Sequence, residues 1–256
     1  MELLPEGLFT GLVLVVIRTT ALVLASPTLG IGTGFSGHKI ALILAVSGLL
    51  YFVSGHPVSD ANALTLGVMA LREVLIGLFL GMLLQVTLVA VHVAGEMIGT
   101  EMGMRMARQV DPSTGIPTTL VASVYENLYL LAFLAMDGHH WLLRALGDSF
   151  ERAPIGRLRL APELSTTLQA MFSELFAAGL VFAAPVLVFL TLVSVLIGLL
   201  SRAVPTLNVM EIGFTLRVVV ALAIMYLFAP LLEPAMRNLH YRFVGWLERG
   251  LQVLEV

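Results

Sequence analysis

The sequence contains no cysteine and a single lysine, and charged residues of either sign are scarce. The missing cysteines exclude disulfides, thiolate catalysis and zinc–thiolate sites. With Lys39 as the only lysine, a phosphate-binding P-loop has no cation to complete it, and a formal net charge of -3 gives no basic surface for nucleic acid. Neither HExxH nor GxSxG occurs, and no nucleophile–base set is recognisable, so no enzyme activity, cofactor or metal is expected. Charged residues make up 12% of the 256 positions, against about a quarter in soluble domains. Apolar residues take their place: 58% of the chain is hydrophobic and its mean hydropathy is +0.96. Such a chain either meets lipid or buries its surface against partner subunits.

The apolar residues come in runs. Leu8 to Ala25 is interrupted only by Arg18, which is costly in lipid and is expected to snorkel or to face a protein interior. The acidic residues before this run lack the basic stretch of a cleaved signal, so the run is expected to be retained. Gly32 to Gly37 spells a dinucleotide fingerprint, but a run long enough to span a bilayer precedes it instead of a short strand, and the match is rejected. Ile40 to Val53 is short for a span. A helix beginning near Ala63 carries Arg72-Glu73 and is thinned for close packing by Gly67, Gly77 and Gly81. Thr118 to Met136 is apolar apart from Tyr125, Glu126 and Asn127, with Glu126 expected beside an arginine or at an end exposed to water.

Asp137-Gly138 signals a turn, followed by a short amphipathic helix ending before Pro154. His139-His140 reads more simply as a turn pair than as metal ligands, because adjacent side chains on a helix diverge and no acid stands at a useful spacing. Leu175 to Ser201 is the strongest spanning candidate, with Pro185 expected to kink it. Glu211 to Leu232 is the last long run and contains Arg217, and Glu233-Pro234 is expected to begin a separate amphipathic tail. The positive-inside count specifies no orientation, as expected where charges pack against protein. No internal repeat suggests a transporter. The expectation is one all-helical domain.

Between two apolar runs lies Gly95 to Pro117, GEMIGTEMGMRMARQVDPSTGIP. Gly95, Gly99 and Gly103 stack on one helix face and invite a close neighbour. Met97, Met102, Met104 and Met106 supply side chains that repack easily. Arg105 and Arg108 suit the end of that helix, which Asp111-Pro112 is expected to stop, leaving Ser113, Thr114, Gly115 and Pro117 in a turn-rich loop. This reads as a helix packed on a neighbour with a surface loop, or as a movable constriction.

The residues of that stretch carry a resemblance. GEMIGTEMG followed by Asp111-Pro112 resembles the central motif of the FliR/SctT family of type III export-gate proteins. Gly138-His139, Ser149-Phe150, Pro154-Ile155-Gly156, Pro205-Thr206-Leu207-Asn208 and Ile212-Gly213-Phe214 follow in that family's order. Gly213-Phe214 and Met102-Gly103 favour its flagellar branch, whereas Glu101 and Thr215 replace a usual glutamine and proline. The resemblance implies membrane-associated helical hairpins, tilted in a helical assembly with FliP-like and FliQ-like subunits, with an FlhB-like protein associated. It implies a gate at the flagellar basal body, in the bacterial inner membrane, through which unfolded export substrates pass. By the same resemblance, Met102, Met104, Arg105, Met106, Arg108, Asp111, Pro112, Gly115 and Pro117 belong to a plug that closes the pore. Gly95, Gly99 and Gly103 then pack against a neighbouring subunit, and Arg202, Pro205, Asn208, Gly213 and Phe214 form a connector or partner interface. The alternative is the virulence-secretion member of the same family, or more distantly a secondary transporter.

Overall fold

The computed structural model describes residues 8–26, 37–54, 62–104, 109–110, 117–155, 164–203 and 209–253. Helices dominate them: α1 (Leu8–Ala25), α2 (Gly37–Ser54), α3 (Ala63–Glu101), α4 (Leu120–Ala135), α5 (Gly138–Arg152), α6 (Leu164–Ala203) and α7 (Val209–Val253). Between α3 and α4, β1 (Gln109–Val110) and β2 (Pro117–Thr118) pair antiparallel, Gln109 opposite Thr118 and Val110 opposite Pro117. The fold is all-α, as expected. α3, α6 and α7 are long and apolar enough to cross a membrane.

Two helix ends differ from expectation. α7 runs unbroken for 45 residues through Pro230 and Pro234, so the tail expected at Glu233-Pro234 is a continuation of the same helix. An interior proline costs a helix about 3 kcal/mol. A break in an apolar helix instead leaves several backbone groups without water to satisfy them, which costs more. Arg237 bonds back to Glu233 one turn away, as a continuous helix requires. α3, conversely, stops early, at Glu101 and not at Asp111-Pro112. Gly103 takes a left-handed φ of 84° and donates its N–H to the Thr100 carbonyl at 3.0 Å. This is a glycine stop, available because glycine has no Cβ to clash there.

The described residues divide into two compact units. The first takes in α1, α2, the leading part of α3, α5, the start of α6 and the end of α7. Its core is built from Leu14, Leu22, Ile76, Leu80, Leu142, Leu146, Phe150 and Phe243. α1 lies so close to α3 that a Cβ at Gly77 would fall 2.2 Å from the Arg18 carbonyl oxygen. Arg18 does not snorkel; it faces the interior, fully buried. Its Nε donates to Glu73 at 2.6 Å, its Nη1 to the Ser149 carbonyl at 2.8 Å and to Ser149 Oγ at 2.9 Å, and its Nη2 to the Ala153 carbonyl at 2.9 Å. The guanidinium also stacks 4.0 Å from the centre of the Phe150 ring.

The second unit takes in the rest of α3, α4 and the remaining lengths of α6 and α7. Here a Cβ at Gly179 of α6 would lie 2.6 Å from the Ala90 carbonyl oxygen of α3. Edge-on ring pairs join Tyr125 of α4 to Phe182 of α6 and Phe133 of α4 to His240 of α7, at 5.2 and 5.8 Å.

Candidate functional site

The motif-bearing end of α3 and the start of α4 form the best-defined site of the second unit. Gly95 meets Ala122, whose Cα would lie 2.4 Å from an added Cβ, and Gly99 meets the side chain of Thr119 at 2.5 Å. Gly103, expected on the same helix face, lies past the end of α3, whereas at Gly95 and Gly99 the close approach is made to the chain's own α4 and its N-cap. Polar bonds reinforce it. The Thr119 N–H donates to the Glu96 carboxylate, and Thr119 Oγ1 accepts the Ala122 N–H at 3.2 Å, capping α4. Further along, His92 Nδ1 lies 3.1 Å from Glu126 Oε2. Glu126 was expected beside an arginine or in water; it is half-exposed and bonded to a histidine.

The glycine stop comes next. Met102 is fully buried and Met104 is half-buried. Phe214, near the start of α7, rests against Gly103, with ring carbons 3.1 and 3.6 Å from an added Cβ. Beside it Gly213 lies against Ile197 of α6, whose Cγ2 would sit 3.5 Å from an added Cβ. The structure thus brings Gly103 of the central stretch together with Phe214 of the expected connector, a meeting that sequence spacing does not reveal. Arg202 is exposed in the last turn of α6. Arg105, Met106, Arg108, Asp111, Pro112, Gly115, Pro205 and Asn208 lie outside the described residues. The two ends of that central segment are joined by the β1–β2 pairing, which contains Pro117.

In the first unit, the reasons given for dismissing His139-His140 do not hold. Asp137, in a left-handed conformation at φ 56°, presents its Oδ1 3.1 Å from His140 Nδ1, and the two histidine rings lie 4.1 Å apart. One donor atom from each of the three residues falls within 4.8 Å of the others. Asp137 is a turn former by its sequence, and it also stands three residues before His140, which on a first helical turn is bonding distance. Sequence reasoning also missed His92 and the Arg18–Glu73 pair. Single polar residues inside apolar runs were the available signal, and their partners are remote in sequence.

Long apolar helices packed through glycines around a few polar pairs define a membrane-embedded helical protein. The family described as "Bacterial export proteins, family 1" matches residues 9–242, and the chain belongs to it. The Flagellar biosynthetic protein FliR of Escherichia coli (strain K12) is 36% identical over 171 residues, covering 67% of this chain and 66% of the relative. The protein of that name from Bacillus subtilis (strain 168) is 28% identical over 238 residues, covering 90% of each chain. That of Aquifex aeolicus (strain VF5) is 28% identical, covering 78% of each.

Proposed function

We propose that this protein is a component of the flagellar type III export gate in the bacterial inner membrane. In this reading it assembles with FliP-like and FliQ-like subunits, beside an FlhB-like protein at the basal body, into a pore for unfolded flagellar subunits. The segment between Gly103 and Pro117 occupies that pore in its closed state. The observation that carries the reading is how the two ends of this segment are held. On one side Met102 is buried and Gly103 lies under Phe214; on the other Thr119 is tied to Glu96 and Gly99. A short strand pair then closes the base. A loop anchored this firmly at both ends can change shape between them without unfolding the helices that carry it, which is the requirement for a gate. The names of the relatives favour the flagellar over the virulence system.

Deleting Asp111 to Ile116 should leave assembly intact and raise ion conductance through the reconstituted complex severalfold. Unchanged conductance in a fully assembled deletion mutant rejects the plug.

A further inference from the structure

Asp137, His139 and His140 meet at the start of α5, within the first unit. Successive side chains on a helix point about 100° apart, yet these two imidazole rings lie 4.1 Å from each other. Asp137 occupies the N-cap position, where a carboxylate ordinarily accepts from the second or third N–H of the helix. It accepts no such bond here. Its Oδ1 turns instead to His140 Nδ1, at 3.1 Å. The carboxylate therefore serves the histidines and not the helix.

Two imidazoles and a carboxylate are the donor set of borderline divalent ions such as zinc. Ligand atoms about 2.0–2.1 Å from one such ion stand about 3.0–3.4 Å from each other. The Asp137–His140 separation already falls in that range. A donor atom of His139 lies within 4.8 Å of both, close enough for a side-chain rotation to close the set. The His139 ring is half-buried with Nδ1 turned inward, so it is partly held in place and Nε2 is the nitrogen an ion reaches. The His140 and Asp137 side chains are 67% and 70% exposed, which leaves an open approach for a hydrated ion and room for the waters it retains. The positive end of the α5 dipole opposes a cation, but the Asp137 carboxylate offsets it. Arg144, the first arginine of α5, is drawn aside over Trp141, 5.4 Å from the ring centre.

We propose that Asp137, His139 and His140 bind one divalent first-row transition ion of the zinc class, with water completing its coordination. The ion takes the place of the proton between Asp137 and His140 and adds the His139 nitrogen to the pair. Magnesium and calcium, which prefer all-oxygen shells, are poorly served by two imidazoles. The site is independent of the export role, and its failure leaves that reading untouched.

The test uses the full chain without an affinity tag, purified in detergent and stripped of metal. Zinc is titrated in competition with a chromogenic chelator, and cobalt(II) is followed by its visible ligand-field bands. Saturation at one ion per chain is expected in the micromolar range, weaker than a closed four-ligand site because only three side chains contribute. His139→Ala and His140→Ala should each weaken zinc at least tenfold and abolish the cobalt bands. Asp137→Asn, which keeps a residue tolerant of the left-handed conformation, should weaken it severalfold. Asp148→Asn, two turns further along α5, should change nothing. Absence of saturable zinc binding overturns the proposal, as does magnesium competing equally, which would mark a general cation surface. Undiminished zinc affinity in a folded His139→Ala, His140→Ala double variant overturns it too. If loss of the half-buried His139 ring prevents folding, the two exposed positions decide, and undiminished affinity in both His140→Ala and Asp137→Asn rejects the site.

Discussion

Arg18 sits in the middle of an apolar helix and is fully buried, yet it is tied to Glu73, Ser149 and Ala153. Burying an ion pair brings little net stability, because desolvation offsets the attraction. Removing one partner is another matter. Arg18→Leu removes a guanidinium bonded to a buried carboxylate, a buried hydroxyl and two backbone carbonyls, and should cost about 3–5 kcal/mol. Arg18→Leu combined with Glu73→Leu should recover most of that loss, as seen in chemical denaturation in detergent. A double variant as unstable as the single one would mean that the bonds to Ser149 and Ala153, not the ion pair, carry the energy. The sequence announced that Arg18 was special but not why, because Glu73 and Ser149 lie 55 and 131 positions away. Pairing at that range is a property of the fold.

Elements were easier to read than their ends. The apolar runs of α1 and α4 and the amphipathic helix α5 were legible, since composition and turn residues such as Asp137-Gly138 bound them tightly. The ends of α3 and α7 were not, because proline and glycine act through context. Pro234 remains inside α7 where a break would strand backbone groups, whereas Gly103 stops α3 before any proline is reached. A periodic pattern of glycines cannot say which neighbour it faces: Gly95 and Gly99 face Ala122 and Thr119 at the start of α4, whereas Gly103 lies past the end of α3 against Phe214. A graded prediction follows from the geometry. At Gly95 a new methyl group meets the Ala122 backbone at 2.4 Å, while at Gly99 it meets only the Thr119 side chain. Backbone cannot step aside as a side chain can. Gly95→Ala should therefore destabilise the α3–α4 hairpin more than Gly99→Ala, with overpacking costs of about 1–3 kcal/mol. Hydrogen exchange along α4 in each variant measures the difference, and equal protection would mean that the two helices slide to accommodate either methyl.

At the scale of the whole molecule the question is what covers its greasy surface. In the most apolar window of α3, 67% of the residues are buried; in α6 the share is 33% and in α7 it is 11%. Val195, Leu196 and Leu199 of α6, and Val219, Leu222 and Tyr226 of α7, are all more than half exposed. A stretch this apolar has no stable place in water, and either acyl chains or partner subunits must lie against it. Composition predicted the exposure but could not choose the cover, since a helix facing lipid and one facing an apolar subunit have the same residues. The export-gate reading does choose. If subunits of the gate surround the chain, a photoactivatable diazirine lipid should label α6 and α7 in the isolated chain in bilayers, and labelling should fall severalfold in the assembled complex. Labelling of α3 should stay low in both, because its own chain already covers it. Should α7 remain fully labelled in the complex, its face belongs to the bilayer, and the helix is an ordinary span at the edge of the assembly instead of a wall shared with its neighbours.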